Sequence, residues 1–162
     1  MVTFHSYATA LEVRHRHEHL RIEAWGPDSA RVRVAQFRLP PESCGALDQP
    51  PASRPPRIRA DKHHATFVHG DLTIDVTFDR AAANPEPLLA FSRTSTGAEL
   101  LAESRQHFWM PGARHFQGNR SGAYEIRQEF SAYPGEKLYG LGQRTHGRLA
   151  IKGLALDLVQ RN

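Results

Sequence analysis

Residues 71–79, DLTIDVTFD, alternate polar and apolar side chains: Leu72, Ile74, Val76 and Phe78 share one face, Asp71, Thr73, Asp75, Thr77 and Asp79 the other. A period of two cannot place one apolar stripe on a helix, where neighbours recur every three to four residues. It specifies a half-buried antiparallel strand. Residues 30–37, ARVRVAQF, repeat the pattern, with Val32 and Val34 opposite Arg31 and Arg33. Leu11 and Val13 begin one strand, and Leu20, Ile22 and Ala24 lie on one face of the next.

Further runs read as strands at Ala65–Val68, Leu88–Ser92, Glu99–Ala102, Tyr124–Phe130 and Leu149–Leu158. Between them stand turn formers: Gly26-Pro27-Asp28, Gly70-Asp71, Asn84-Pro85, Thr96-Gly97, Pro111-Gly112 and Pro134-Gly135. Short strands at roughly ten-residue spacing argue an all-β antiparallel sandwich. No segment carries helical periodicity. The expected core is Leu11, Val13, Ile22, Val32, Val34, Leu72, Ile74, Val76, Phe78, Leu89, Phe91, Ile126, Phe130, Leu156 and Leu158. One stretch breaks the rhythm. Residues 39–57, LPPESCGALDQPPASRPPR, hold six prolines, which cannot donate to a ladder, so this is expected to be a surface loop. A linker explains it better than a polyproline recognition motif.

The length of 162 residues suffices for one domain, here taken as residues 1–162, with a hydrophobic core. It falls short of the roughly 250 residues of a (β/α)8 barrel. The net charge of +4 rests on arginines scattered along alternating segments, which argues a solvated sheet face and against nucleic-acid binding. Cys44 is the only cysteine, so no internal disulfide forms. No run approaches the roughly 18 apolar residues of a membrane span, and the first residues lack a basic-then-apolar leader, so a cytoplasmic setting without membrane attachment is expected.

Candidate chemical motifs are few. His15, His17 and His19 alternate in HRHEH and on one strand would share a face, as a divalent metal would require. Arg16 beside them opposes a cation, and a solvated strand end explains them better. Asp71, Thr73 and Asp75 lack the glycine and glutamate of a calcium loop, with Val76 and Ala82 in those places. Gly140-Leu141-Gly142 lacks the third glycine of a dinucleotide fingerprint. Glu125 and Glu129 on one strand would stand about 13 Å apart, too far for the ~5–5.5 Å pair of a retaining glycosidase. Trp25, Trp109, Tyr133 and Tyr139 are better read as packing aromatics than as sugar platforms. No catalytic residue, metal ligand or cofactor is assigned.

The last thirty residues resemble a known family. Glu136-Lys137-Leu138-Tyr139-Gly140-Leu141-Gly142-Gln143 resembles the E-x-x-Y-G-L-G-[EQ] turn of glycoside hydrolase family 31, the retaining α-glucosidases and α-xylosidases. Gly147-Arg148-Leu149 through Lys152-Gly153 resembles the strand that follows, and Leu156 to Asn162 the strand leading into the family's R-[ND]-[TG] loop. The resemblance implies an N-terminal galactose-mutarotase-like β-sandwich (a supersandwich), incomplete at its C-terminal end. The (β/α)8 barrel that carries the family's two catalytic aspartates is absent from this chain. It implies that Arg161 and Asn162 form part of the sugar-binding rim. Many members carry Asp at the second position, and Asn162 replaces a charged acceptor with a neutral donor–acceptor.

The implied function is that of a non-catalytic domain of an α-glycosidase, inactive alone, whose partners are the barrel and an α-glucoside or α-xyloside. A stand-alone carbohydrate-binding sandwich and a structural domain without ligand are the alternatives. Leu149–Val159, apolar and nearly uncharged, is expected to form an exposed edge strand that invites an edge-to-edge homodimer.

Overall fold

The computed structural model describes residues 1–40, 54–82, 85–104, 112–120, 122–140 and 147–155. Eleven strands and no helix occur among them. They form two compact units, Met1–Ser131 and Ala132–Asn162.

In the first unit, β1 (Val2–Ser6), β2 (Ala10–His15), β3 (Glu18–Trp25) and β4 (Ser29–Gln36) make a four-stranded antiparallel sheet in chain order. A second sheet orders β5 (Arg57–Ala60), β6 (His64–His69), β7 (Leu72–Phe78), β8 (Pro87–Arg93) and β9 (Glu99–Ala102) the same way. The hairpin β10 (Arg114–Gly118) and β11 (Tyr124–Gln128) stands apart as a two-stranded ribbon. No strand of the second sheet pairs with it along its length; an isolated bridge, Glu103 to Phe130, and the Ser131 amide donating to the Ala102 carbonyl at 2.8 Å lie just beyond β11.

Register converts alternation into a core. Leu20 sits opposite Val13 and Val34, and Ile22 opposite Leu11 and Val32. In the second sheet Phe67, Ile74 and Phe91 line up, as do Ala65, Val76 and Leu89. These two sets bury against each other in one cluster, with Val32, Val34, Leu72 and Phe91 packed half-buried at its margin. The arrangement is an antiparallel β-sandwich, with inner faces closed by side chains from both sheets.

The turns tie the sheets together at one end. Gly70 takes φ +57, and a Cβ there would collide with Asp28 and the Pro27 carbonyl. That close approach lets the Asp71 amide donate to Asp28 Oδ1 (2.9 Å) and His69 Nε2 to the Gly26 carbonyl (2.9 Å). Asp71 then caps the next turn, accepting from the Ser95 amide at 2.8 Å. The acidic side chain serves the turn and has no part in a calcium loop.

Several expectations need correction. Ile126 is 65% exposed and Phe130 41%. A two-stranded ribbon with no further strand paired to it cannot cover a face, so alternation there does not produce burial. β1, β5 and β10 escaped sequence reading, and β5 starts at Arg57, the last residue of the expected proline-rich loop. Residues 41–53 of that loop lie outside the described residues, as do Trp109, Leu156 and Leu158. The expected strand at Leu149–Leu158 is not formed over residues 149–155, where a turn falls at Lys152-Gly153. Gly153 adopts φ +78, which ends extended backbone at that point.

The second unit is built by local bonds. The Pro134-Gly135 turn closes with the Glu136 amide donating to the Tyr133 carbonyl at 3.2 Å. The Ile151 amide donates to the Leu138 carbonyl at 2.8 Å, which lays the two stretches side by side, and Ile151 is buried. Lys152 Nζ donates to the Tyr133 carbonyl and pairs with Glu136 at 3.1 Å.

Candidate functional site

HRHEH is a hairpin turn. His15 ends β2, Arg16 takes φ 54, and β3 starts at Glu18. Reversal of the chain at Arg16–His17 separates the three histidines that a single strand would have aligned. His15 turns inward and is buried. His17 packs on Phe37, ring centroids 4.8 Å apart. His19 lies on the outer face of β3, its Nε2 3.2 Å from Glu12 without the alignment of a hydrogen bond. No cluster of metal-ligating side chains occurs among the described residues.

The outer face of the first sheet carries the largest polar constellation. Glu12 on β2 accepts from Arg21 on β3 at 2.7 Å and from Arg14 at 3.3 Å. Glu23 accepts from Arg21 at 3.0 Å, Arg31 at 2.9 Å and Arg33 at 3.0 Å. Cross-strand register produces this: Glu12 faces Arg21, Glu23 faces Arg31, and Arg21 faces Arg33. The Glu23 and Arg31 side chains are each only 10% exposed, so the expected solvated face is in fact a nearly buried ion-pair network. Arg31 also stacks on Trp25 at 4.2 Å, which accounts for that aromatic as a packing residue.

Electrostatics excludes these carboxylates as proton donors. Burial alone would raise the Glu12 carboxyl, but nearby His19 and the Arg21 bond outweigh it and hold it below the usual range. Glu23 behaves alike: burial raises it, and bonds from Arg33, Arg31 and Arg21 overcome that. A general acid requires the opposite, a carboxyl kept protonated near neutral pH.

A second node joins the sheets. Arg114, at the start of β10, donates to Glu18 of β3 at 3.0 Å, to Glu103, and to the Pro87 carbonyl of β8. Glu103 also accepts from the Leu89 amide (2.8 Å) and Gln128 (3.0 Å). Burial would weaken the Arg114 cation, but Glu103 and Glu18 more than restore it, so the guanidinium stays charged. Each of the four carboxylate oxygens of Glu18 and Glu103 accepts at least one bond, which makes this a structural anchor. Nothing in the local sequence marks Arg114; its partner Glu18 lies 96 positions away.

Glu125 is exposed on β11, and Glu129, beyond the end of that strand, pairs with Arg127. Neither faces a second carboxylate across a cleft of the described residues. In the second unit Tyr139 is exposed, and Lys152 fixes Glu136 of the signature. Arg161 and Asn162 lie outside the described residues.

The polar groups of this sandwich thus build architecture, and likeness to other proteins indicates what that architecture serves. No family model matches the chain. It is 30% identical over 175 aligned positions to the uncharacterized family 31 glucosidase ORF2 of Pseudescherichia vulneris. Among solved structures it superposes on a GH31 alpha-xylosidase from a soil metagenome, crystallised with xylose, with a TM-score of 0.78 at 25% identity. The kinship of this chain is with glycoside hydrolase family 31. The matches cover 96% and 99% of the chain but only 31% and 25% of those two proteins. The chain thus spans about a quarter to a third of the length of these relatives, and the all-β fold with its span fits the N-terminal non-catalytic domain.

Proposed function

We propose that the chain supports the catalytic barrel of a family 31 α-glycosidase and contributes to the rim of its sugar site. The observation that carries this reading is an all-β match over nearly the whole chain that spans only about a quarter of an α-xylosidase. The geometry agrees, since the two buried carboxylates with a resolved shift are held ionised, Glu12 by His19 and Arg21 and Glu23 by Arg33, Arg31 and Arg21. The substrate class is an α-glucoside or α-xyloside, with Arg161 and Asn162 as the rim residues that bond sugar hydroxyls. The lone Cys44 supports a reducing, cytoplasmic setting. An edge-paired homodimer loses its expected basis over residues 149–155, which form no strand.

The test is a chimera. The matched segment of the Pseudescherichia relative is replaced by this chain, and release of nitrophenol from α-glucoside and α-xyloside substrates is followed. Activity is expected in the chimera and none in the isolated chain. Substitution of Arg161 by Ala in the chimera should raise KM more than it lowers kcat. Turnover by the isolated chain that disappears on mutating one of its own carboxylates would overturn the proposal.

A further inference from the structure

The end of the sandwich opposite the Gly70 turn holds a cleft of about 650 Å³. The β2–β3 turn, the β5–β6 turn and the chain just after β7 converge on it, and its walls include His15, Arg16, Lys62, His63, Phe78 and Arg80. Among the described residues no carboxylate lines it. The nearest acids are committed: Asp61 accepts from the His63 and His64 amides at 2.8 and 2.9 Å, Asp79 from the Ala81 amide at 2.9 Å, and Glu18 holds Arg114. Among the described residues, Lys62 and Arg80 form no ion pair, and both are exposed at the rim.

His15 forms the floor. It is 7% exposed, its ring packs against Phe78 at 4.9 Å, and neither Nδ1 nor Nε2 makes an aligned hydrogen bond, although the Met1 backbone lies close enough to favour the protonated ring. His15 also lines a smaller cavity of about 240 Å³. A buried polar group left unpaired costs roughly 1–3 kcal/mol. Such groups persist in native proteins where a ligand, ion or water completes them.

We propose that this cleft binds a tetrahedral oxyanion, free phosphate or the phosphoryl group of a sugar phosphate, with His15 donating to one oxygen and Lys62 and Arg80 balancing its charge. The volume suits a small ligand. The charged side chains that line it, Arg16, Lys62 and Arg80, are all cationic and select an anion, and the buried imidazole supplies direction. A neutral sugar lacks the charge to exploit it, and the Phe78 ring is too buried to stack on a pyranose.

Proton linkage follows from the surroundings of His15. Burial, then Arg16 and the amino-terminal ammonium, lower its proton affinity, against the Met1 carbonyl and Glu18, which raise it. Lys62 and Arg80 add positive charge across the larger cleft, which His63 also lines, while Glu86 and Arg114 line the smaller one. The free site therefore holds a neutral imidazole, and a bound anion favours its protonation. Sulfate, whose charge is constant near neutrality, should bind more tightly as pH falls from 8 to 6.

The experiment uses the 162-residue chain at fixed ionic strength, with inorganic phosphate, sulfate, xylose 1-phosphate and neutral xylose as probes. Calorimetry and the ¹⁵N resonances of the His15 ring report binding. Saturable binding of the three anions, no response to xylose, and at least tenfold weakening in a Lys62→Ala/Arg80→Ala double variant are expected. His15→Gln should abolish the pH dependence. The double variant changes only exposed side chains, so the test survives if His15→Gln fails to fold. Tighter binding of xylose 1-phosphate than of phosphate identifies a sugar phosphate as the ligand, and equal binding identifies the free oxyanion. A non-saturating response matched by chloride would show that solvent alone completes His15, and undiminished affinity in the double variant would also overturn the proposal.

Discussion

The two sheets share one inner-face chemistry and differ on their outer faces. Both alternate apolar and polar residues, and both bury their apolar sets in a common core. On the first sheet the polar face is a nearly buried network of Glu12, Glu23, Arg21, Arg31 and Arg33. On the second, Asp75 accepts from Thr66 at 2.9 Å and lies 3.0 Å from His64, with Asp75 and His64 side chains 37% and 44% exposed. A period of two reports which way a side chain points. It does not report whether water waits there. Charged groups taken from water must be paired, whereas exposed ones gain little from pairing.

The largest expected effect tests the link between the sheets. Arg114→Met leaves Glu103 and Glu18 without their cation and should destabilise the domain by about 3–5 kcal/mol in urea unfolding. A loss below about 1 kcal/mol would show that the node is not an anchor. Next comes the first sheet's own network. Glu23→Gln removes the charge that three guanidinium groups share, and about 2–4 kcal/mol should be lost. The effect should shrink little in high salt, because buried pairs are screened weakly.

A pH titration sharpens the same contrast. Glu12 and Glu23 are held below their usual range in the folded state. In that case the unfolded chain takes up protons first as pH falls. The stability they contribute is complete above about pH 4.3, the unfolded value, and drains as pH falls through their lowered folded values. The acid limb of the stability curve should be shallower in Glu23→Gln, and an unchanged limb would count against the network as its source. The smallest effect belongs to the second sheet. Asp75→Asn should change stability by no more than about 1 kcal/mol, and a loss matching Glu23→Gln would erase the distinction between the faces.

Eight strands were legible because their apolar pattern is local. β1, β5 and β10 were not: VTFHS, RIRA and RHFQG are too short for a pattern, and pairing with β2, β6 and β11 makes them strands. Leu149–Val159 shows the converse, an apolar run with strand character whose described portion turns at Lys152-Gly153. The histidine triplet failed as a face because one left-handed residue, Arg16, reversed the chain between its members.

By itself the sequence determined the all-β class, the facing of Leu20, Ile22, Ile74 and Val76, and the resemblance to family 31 in its last thirty residues. These rest on short-range periodicity and on a contiguous motif, and both are written along the chain. Tertiary structure alone decided that Arg114 meets Glu18 and Glu103, that the arginines of β3 and β4 are half-buried in ion pairs, and that His15 lines a cationic cleft with neither nitrogen in an aligned hydrogen bond. Such facts depend on which distant strands become neighbours and on how much water remains between them. Neither is encoded in the spacing of residues along one strand.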